Sequence, residues 1–104
     1  MKTKFMYPLV LAVIFLFLSC GENTDVVESG TYQGTIEEVE PSKTEIYVKT
    51  EDDKTLELYF TDQTELTQNG APVEFTVLEE GMRVEVEVVK EGKRLDPIAV
   101  RVLE

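Results

Sequence analysis

The feature that most constrains the fold of this chain is an alternation of apolar and polar residues with a period of two. Residues 82–89 read MRVEVEVV, in which valines alternate with one arginine and two glutamates. This period sends successive side chains to opposite faces of a β-strand, whereas a helix repeats its apolar positions every three or four residues. Similar runs recur from Gly30 onward, so residues 30–104 are predicted to form one all-β domain.

Five strands account for the pattern. The first begins at Gly30 and places Tyr32, Gly34 and Ile36 on one face. The three-residue step from Ile36 to Val39 predicts a bulge, and Pro41 begins a turn. The other strands are predicted over residues 44–50, 55–61, 82–89 and 94–103, with the inward side chains Ile46, Val48, Leu56, Leu58, Phe60, Val84, Val86, Val88, Ile98, Val100 and Val102. A second bulge or an edge position is expected at Asp96-Pro97.

The register between the second and third strands decides which outward side chains meet. A three-residue loop at 52–54 sets Tyr47 directly opposite Tyr59 and pairs Lys49 with Glu57. A register shifted by two residues sets Tyr47 opposite Glu57 instead. We favour the first register because it forms an opposite-charge pair across the strands.

The segment between the third and fourth strands contains two turn signals. Asn69-Gly70 predicts a tight turn within a small ribbon. Thr76 followed by Glu79 has the spacing of a capping box, and Gly81 can end a helical turn in a left-handed conformation. One short helical turn is therefore expected before the fourth strand, and its apolar residues should close one end of the sheet.

Short, evenly spaced antiparallel strands with one helical turn predict a small five-stranded antiparallel barrel. The layout resembles the OB-like barrels of exported bacterial proteins. The resemblance rests on GTI at residues 34–36, NG at 69–70 and LEEGMRV at 78–84. It implies a fold and brings no catalytic residue with it.

The N-terminal 19 residues have the composition of a secretory signal peptide, which is expected to form a helix ahead of the barrel. Two lysines precede an uncharged run of residues 5–18, which is shorter than the roughly 18–20 residues of a membrane span. Residues 17–21, FLSCG, resemble the lipobox of bacterial lipoproteins, although Phe17 stands where the common pattern has leucine. The resemblance implies cleavage before Cys20, acylation of Cys20 and a lipid anchor in the bilayer. Secretion without a lipid, or a short uncleaved membrane anchor, remain the alternatives.

The chain is then expected to be held at the bacterial cell envelope. Residues 20–29 are predicted to form the lipidated cysteine and a flexible polar tether. By resemblance to lipoproteins, Gly21 in place of an aspartate after the cysteine favours the outer membrane. Cys20 is the only cysteine, so no intramolecular disulfide can form.

Composition argues against several functions. Removing the signal takes two of the ten basic residues and none of the 21 acidic ones, and such a surface repels nucleic acid. The chain has no histidine and no tryptophan, so it lacks the usual general base and the commonest metal ligand. No nucleophile–base pair or phosphate-binding loop is present. We expect no enzyme, no cofactor and no metal.

The best candidate for ligand binding is the outward pair Tyr47 and Tyr59, because stacked tyrosines can hold a sugar or a peptide ring; the plainer interpretation is a cross-strand aromatic pair. Acids at 51–53 and the outward Glu57, Glu85 and Glu87 are interpreted as a solvated loop and a solubilising face. The leading hypothesis is a non-catalytic binding or assembly module whose partner is an envelope protein, a peptide or a glycan. The alternative is a structural or spacer lipoprotein with no ligand.

Overall fold

The computed structural model of this protein describes residues 24–103. Seven strands form a single sheet: β1 (Gly30–Glu40), β2 (Glu45–Thr50), β3 (Thr55–Tyr59), β4 (Glu65–Gln68), β5 (Ala71–Pro72), β6 (Arg83–Glu91) and β7 (Arg94–Val102). Short 3-10 turns occupy Pro41–Lys43 and Phe75–Val77. The strand order is β3-β2-β1-β6-β7-β4-β5.

The sheet coils until β3 lies beside β7, but no hydrogen-bonded ladder joins these two strands among the described residues. The prediction of an all-β domain is confirmed, and the five predicted strands correspond to β1, β2, β3, β6 and β7. The count of five is wrong, because the ribbon around Asn69-Gly70 adds β4 and β5. The sheet is also not antiparallel throughout, since β4 pairs with β7 in parallel. The predicted signal-peptide helix and Cys20 lie outside the described residues.

The core is the inner face of this coiled sheet. It consists of the buried side chains Ile36, Ile46, Val48, Leu56, Leu58, Leu66, Leu78, Val84, Val86, Val88, Leu95, Val100 and Val102. The predicted alternation in β2, β3 and β6 is therefore confirmed. The predicted bulge in β1 is also present, as a shift of register between Ile36 and Glu38 in the pairing with β2. Within residues 24–103, no helix has the length and apolar character needed to cross a bilayer.

Ile98 was predicted to point inward and does not, because its side chain is 41% exposed. The pairing of β6 with β7 shifts so that Glu87 faces Ala99 while Val88 faces Pro97. Ile98 is the extra residue of this bulge. The bulge changes which residues of β7 point inward: odd-numbered residues do so before it and even-numbered residues after it.

The capping box predicted at Thr76 and Glu79 is wrong. The 3-10 turn begins earlier, its N-cap is Glu74, and no side chain caps it. Leu78 is buried as expected, although it follows the turn in an extended conformation. Gly81 adopts the predicted left-handed conformation, with φ at 93°.

Gly34 marks a close approach between β1 and β2. A Cβ atom at this position would lie 2.3 Å from the carbonyl oxygen of Lys49 and 2.8 Å from a methyl group of Val48. Only glycine fits this contact, which lies beside the bulge and allows the strong coiling of the sheet.

Residues 24–29 lie against the domain. The backbone N–H of Asp25 donates to the carbonyl of Thr55 at 2.7 Å, and its carboxylate accepts from the N–H of Thr55 at 2.9 Å. The Ser29 hydroxyl accepts from the N–H of Lys90 at 2.8 Å. These contacts place residue 25 at the free edge of β3.

Candidate ligand-binding site

The two tyrosines share the outer face of the sheet, but they are not opposite each other. Tyr47 faces Glu57 and Tyr59 faces Glu45, so the register favoured from the sequence is wrong and the alternative register is the one observed. Tyr47 and Tyr59 are diagonal neighbours, a separation that aromatic side chains can bridge. Tyr59 is 42% exposed, while Tyr47 is half-buried.

The loop between β2 and β3 explains this register. It consists of residues 51–53, with Asp53 in the left-handed region at φ 71°. Aspartate tolerates this conformation better than the Lys54 that the other register would place there. The Thr50 hydroxyl accepts a hydrogen bond from the N–H of Lys54 at 3.0 Å and donates to Asp52, which closes the loop.

The central residue of the face is Glu45. It is two residues before Tyr47 on β2, so both residues belong to the outer face. It lies opposite Tyr59 on β3 and opposite Glu40 on β1. Its side chain is fully buried, and among the described residues no donor makes a well-directed hydrogen bond to either carboxylate oxygen, although the Tyr47 and Tyr59 hydroxyls and the Glu57 carboxyl lie close enough to interact with it. Glu45 was not among the site residues predicted from the sequence. The available signal was the register it rejected, because that register alone sets a glutamate opposite Tyr59.

Burial and negative charge act together on the tyrosines. Burial raises the pKa of Tyr47 to about 12, and the charges of Glu57 and Glu45 add to this effect. The pKa of Tyr59 is raised by the same two causes, with Glu45 as the largest charge contribution. Both phenols therefore remain neutral hydrogen-bond donors well above neutral pH.

The surrounding carboxyl groups repel one another. The pKa of Glu57 is raised, first because a proton on Glu57 can be shared with Glu45, and then by partial burial. The exposed Glu38 has a raised pKa because it can share a proton with Glu40. The positive charge of Lys43 opposes the shift at Glu57. We call Glu38, Glu40, Glu45, Tyr47, Glu57 and Tyr59 the acidic tyrosine face.

A groove adjoins this face on the side of Tyr59. It has a volume of about 710 Å³ and follows the seam between β3 and β7. The exposed side chains of Tyr59 and Ile98 both line it, together with Arg94 and Asp96. The bulge that turns Ile98 outward thus places a second apolar side chain in the groove that Tyr59 lines.

A second groove, of about 630 Å³, opens where β3 leads into β4. Its apolar part is an edge-to-face pair of Phe60 and Phe75, with ring centroids 5.1 Å apart. Thr44, Asp62 and Thr64 contribute its polar rim. It does not include the tyrosines.

Four of the other acidic residues noted in the sequence form surface ion pairs. Glu85 and Glu87 both bind Arg101, at 3.1 and 3.6 Å. In the loop, Glu51 contacts Arg83 at 3.3 Å and Asp53 contacts Lys49 at 3.3 Å. Among residues 24–103, no group of three or more acidic, histidine or cysteine side chains is arranged to hold a metal ion.

Comparison with known proteins identifies a fold. The chain matches no protein-family model and no curated protein sequence. Solved structures of CusF from Escherichia coli are similar to it. A tryptophan-to-alanine variant with Cu(II) has a TM-score of 0.59 at 13% identity, covering 80% of this chain and 100% of that one. A form with Ag(I) has a TM-score of 0.58 at 14% identity, covering 74% and 94%. The apo form has a TM-score of 0.56 at 14% identity, covering 80% and 99%. At this identity the likeness supports the OB-like barrel and nothing further.

Proposed function

We propose that this chain is a lipid-anchored protein of the bacterial cell envelope whose OB-like barrel is a non-catalytic binding module. The anchor is acylated Cys20, and the outer membrane is the favoured location. The observation that carries the binding role is the acidic tyrosine face, where an exposed tyrosine lies opposite a buried carboxylate that accepts no well-directed hydrogen bond from the described residues.

A purely structural role gives no reason for this arrangement. A buried carboxylate without a donor lowers the free energy of unfolding, whereas an apolar or amide side chain at the same position would not. Elsewhere on the sheet, Glu85 and Glu87 are half-buried and paired with Arg101. Local instability retained at a surface site is a common property of binding sites.

Metal binding like that in the Cu(II) and Ag(I) structures is not part of this proposal. Ag(I) is a soft ion that prefers sulfur ligands, and Cu(II) is commonly held by imidazole nitrogen. The chain has no histidine, and Met82 is the one sulfur-containing residue between residues 24 and 103. The residues of the described barrel therefore do not fit such a site.

The binding role is tested by affinity capture from envelope extract with the full chain in mild detergent. The parent is compared with the Tyr47→Ala/Tyr59→Ala double variant and with Leu103→Ala, which alters an equally exposed apolar residue elsewhere (42% for both Tyr59 and Leu103). We expect one partner that the parent and Leu103→Ala retain and the double variant loses, with circular dichroism unchanged. Equal capture by all three would place the partner's contact away from the tyrosines and reject this site, and capture by none would favour the spacer role.

The anchor is tested separately by feeding cells a clickable palmitate analogue. The parent should be labelled and should sediment with membranes, whereas Cys20→Ser should lose both properties. An unlabelled parent would reject the anchor without affecting the binding role.

A further inference from the structure

We propose that the acidic tyrosine face binds a primary ammonium group, such as the side chain of a lysine on a partner protein. This inference rests on the proposed binding function and names the chemical class of the group that is recognised. Three properties of the face carry it: the missing donors at Glu45, the negative charge around it, and the neutral aromatic rings that flank it.

Glu45 is the first of these. Its carboxylate has no accessible surface, and neither oxygen receives a well-directed hydrogen bond from the described residues. A buried group of this kind is normally satisfied by a protein donor, a water or an ion. An ammonium group has three N–H donors and no acceptor, so it supplies what both oxygens lack.

The charges around Glu45 come from every strand packed against it. Glu38 and Glu40 lie on β1, Glu57 lies on β3, and the phenols of Tyr47 and Tyr59 are neutral. Lys43 in the adjacent 3-10 turn acts on Glu57, and Lys93 and Arg94 line a small pocket with Glu57 and Tyr59. Because Arg94 is paired with Asp96, the four carboxyl groups outweigh the remaining basic side chains, and the face favours a cation over an anion.

The tyrosines favour an organic cation over a metal ion. Tyrosine rings attract cations through their π faces, and the described residues offer no metal-holding cluster. Tyr59 lies directly opposite Glu45 and is 42% exposed, so this side of the face is open to solvent. The groove shared with Ile98 can then accept the apolar part of the same partner.

The test titrates the full chain in detergent with n-butylammonium at pH 7, followed by NMR shifts of the Tyr47 and Tyr59 amides and by thermal unfolding. Tetramethylammonium at equal ionic strength is the control ligand, because it carries the same charge but has no N–H to donate. Glu45→Gln is compared with Glu79→Gln, which removes the same charge from an exposed position outside the face.

We expect saturable shifts and a higher melting temperature with n-butylammonium, a response at least tenfold weaker with tetramethylammonium, and a similar loss in Glu45→Gln only. Equal responses to the two cations would show screening of surface charge and overturn the inference. No response to either cation, with stability that rises on acidification, would show that the face holds only a shared proton, and would also overturn it. Partner capture that still depends on the tyrosines would in that case leave the proposed binding function intact.

Discussion

The Glu45→Gln substitution removes a charge from a fully buried position and supplies an amide donor of the same size. In the parent, neither carboxylate oxygen accepts a well-directed hydrogen bond from residues 24–103. Leaving a buried polar group unsatisfied lowers the free energy of unfolding by about 1–3 kcal/mol, and by more for a charged group. The variant should therefore be more stable than the parent at pH 7 by about 1–3 kcal/mol, because its amide can donate to Glu57. For a domain of this size, each kcal/mol corresponds to a shift in melting temperature of about 4–8 °C.

Urea unfolding of the full chain in detergent, at several pH values, measures this difference. The pKa of Glu57 is raised in the folded state by the proton it can share with Glu45. A raised folded pKa contributes stability that is present below the unfolded value of 4.5 and is lost as the pH rises through the folded value. The advantage of the variant should therefore be largest at pH 7 and should shrink as the pH falls toward 4.5. Glu79→Gln should change stability by less than about 0.5 kcal/mol. A variant less stable than the parent at pH 7, or an advantage independent of pH, would refute this reasoning.

Three further predictions concern the barrel and the phenols. Gly34→Ala should lower the free energy of unfolding by about 1–3 kcal/mol in urea unfolding, because its Cβ would meet a backbone carbonyl of β2; a neutral effect would contradict the close approach. Val84→Asp should unfold the domain by circular dichroism, whereas Glu85→Val and Ile98→Ser should keep the fold, and comparable tolerance of all three would reject the register of β6 and β7. In an absorbance titration at 295 nm, the Tyr47 phenol should ionise near pH 12 rather than 10; because its folded pKa is raised, its contribution to stability is present below pH 10 and lost toward pH 12, and ionisation near 10 would contradict its burial.

The alternation of apolar residues was sufficient to predict the inner face of β2, β3 and β6. Side chains in a strand alternate strictly, so any regular strand with one buried face can be read in this way. The same reasoning failed at Ile98, because one extra residue in a bulge reverses the parity beyond it. The sequence marks such a place with Pro97, but it does not show on which side of the proline the extra residue lies.

The candidate site was predictable only in part. Tyr47 and Tyr59 were placed on the same face, but their register depended on which residue of the loop takes the left-handed conformation. An exposed ion pair such as Lys49–Glu57 contributes little to stability. The preference of Asp53 for the left-handed conformation is the better guide, and it leads to the observed register. The burial of Glu45 could not be predicted, because glutamate is normally exposed and its burial arises from the side chains around it in the folded sheet.

A partner is proposed to bind at the acidic tyrosine face. Site-specific photocrosslinking in intact cells tests this role directly. A photoreactive phenylalanine is introduced at Tyr59 in one strain and at the equally exposed Leu103 in another. We expect a discrete crosslinked protein from position 59 and none from position 103. The yield of this product should fall when Glu45→Gln is added. Crosslinks of equal yield from both positions, or none from either, would contradict a binding role for this face and leave the barrel as a spacer.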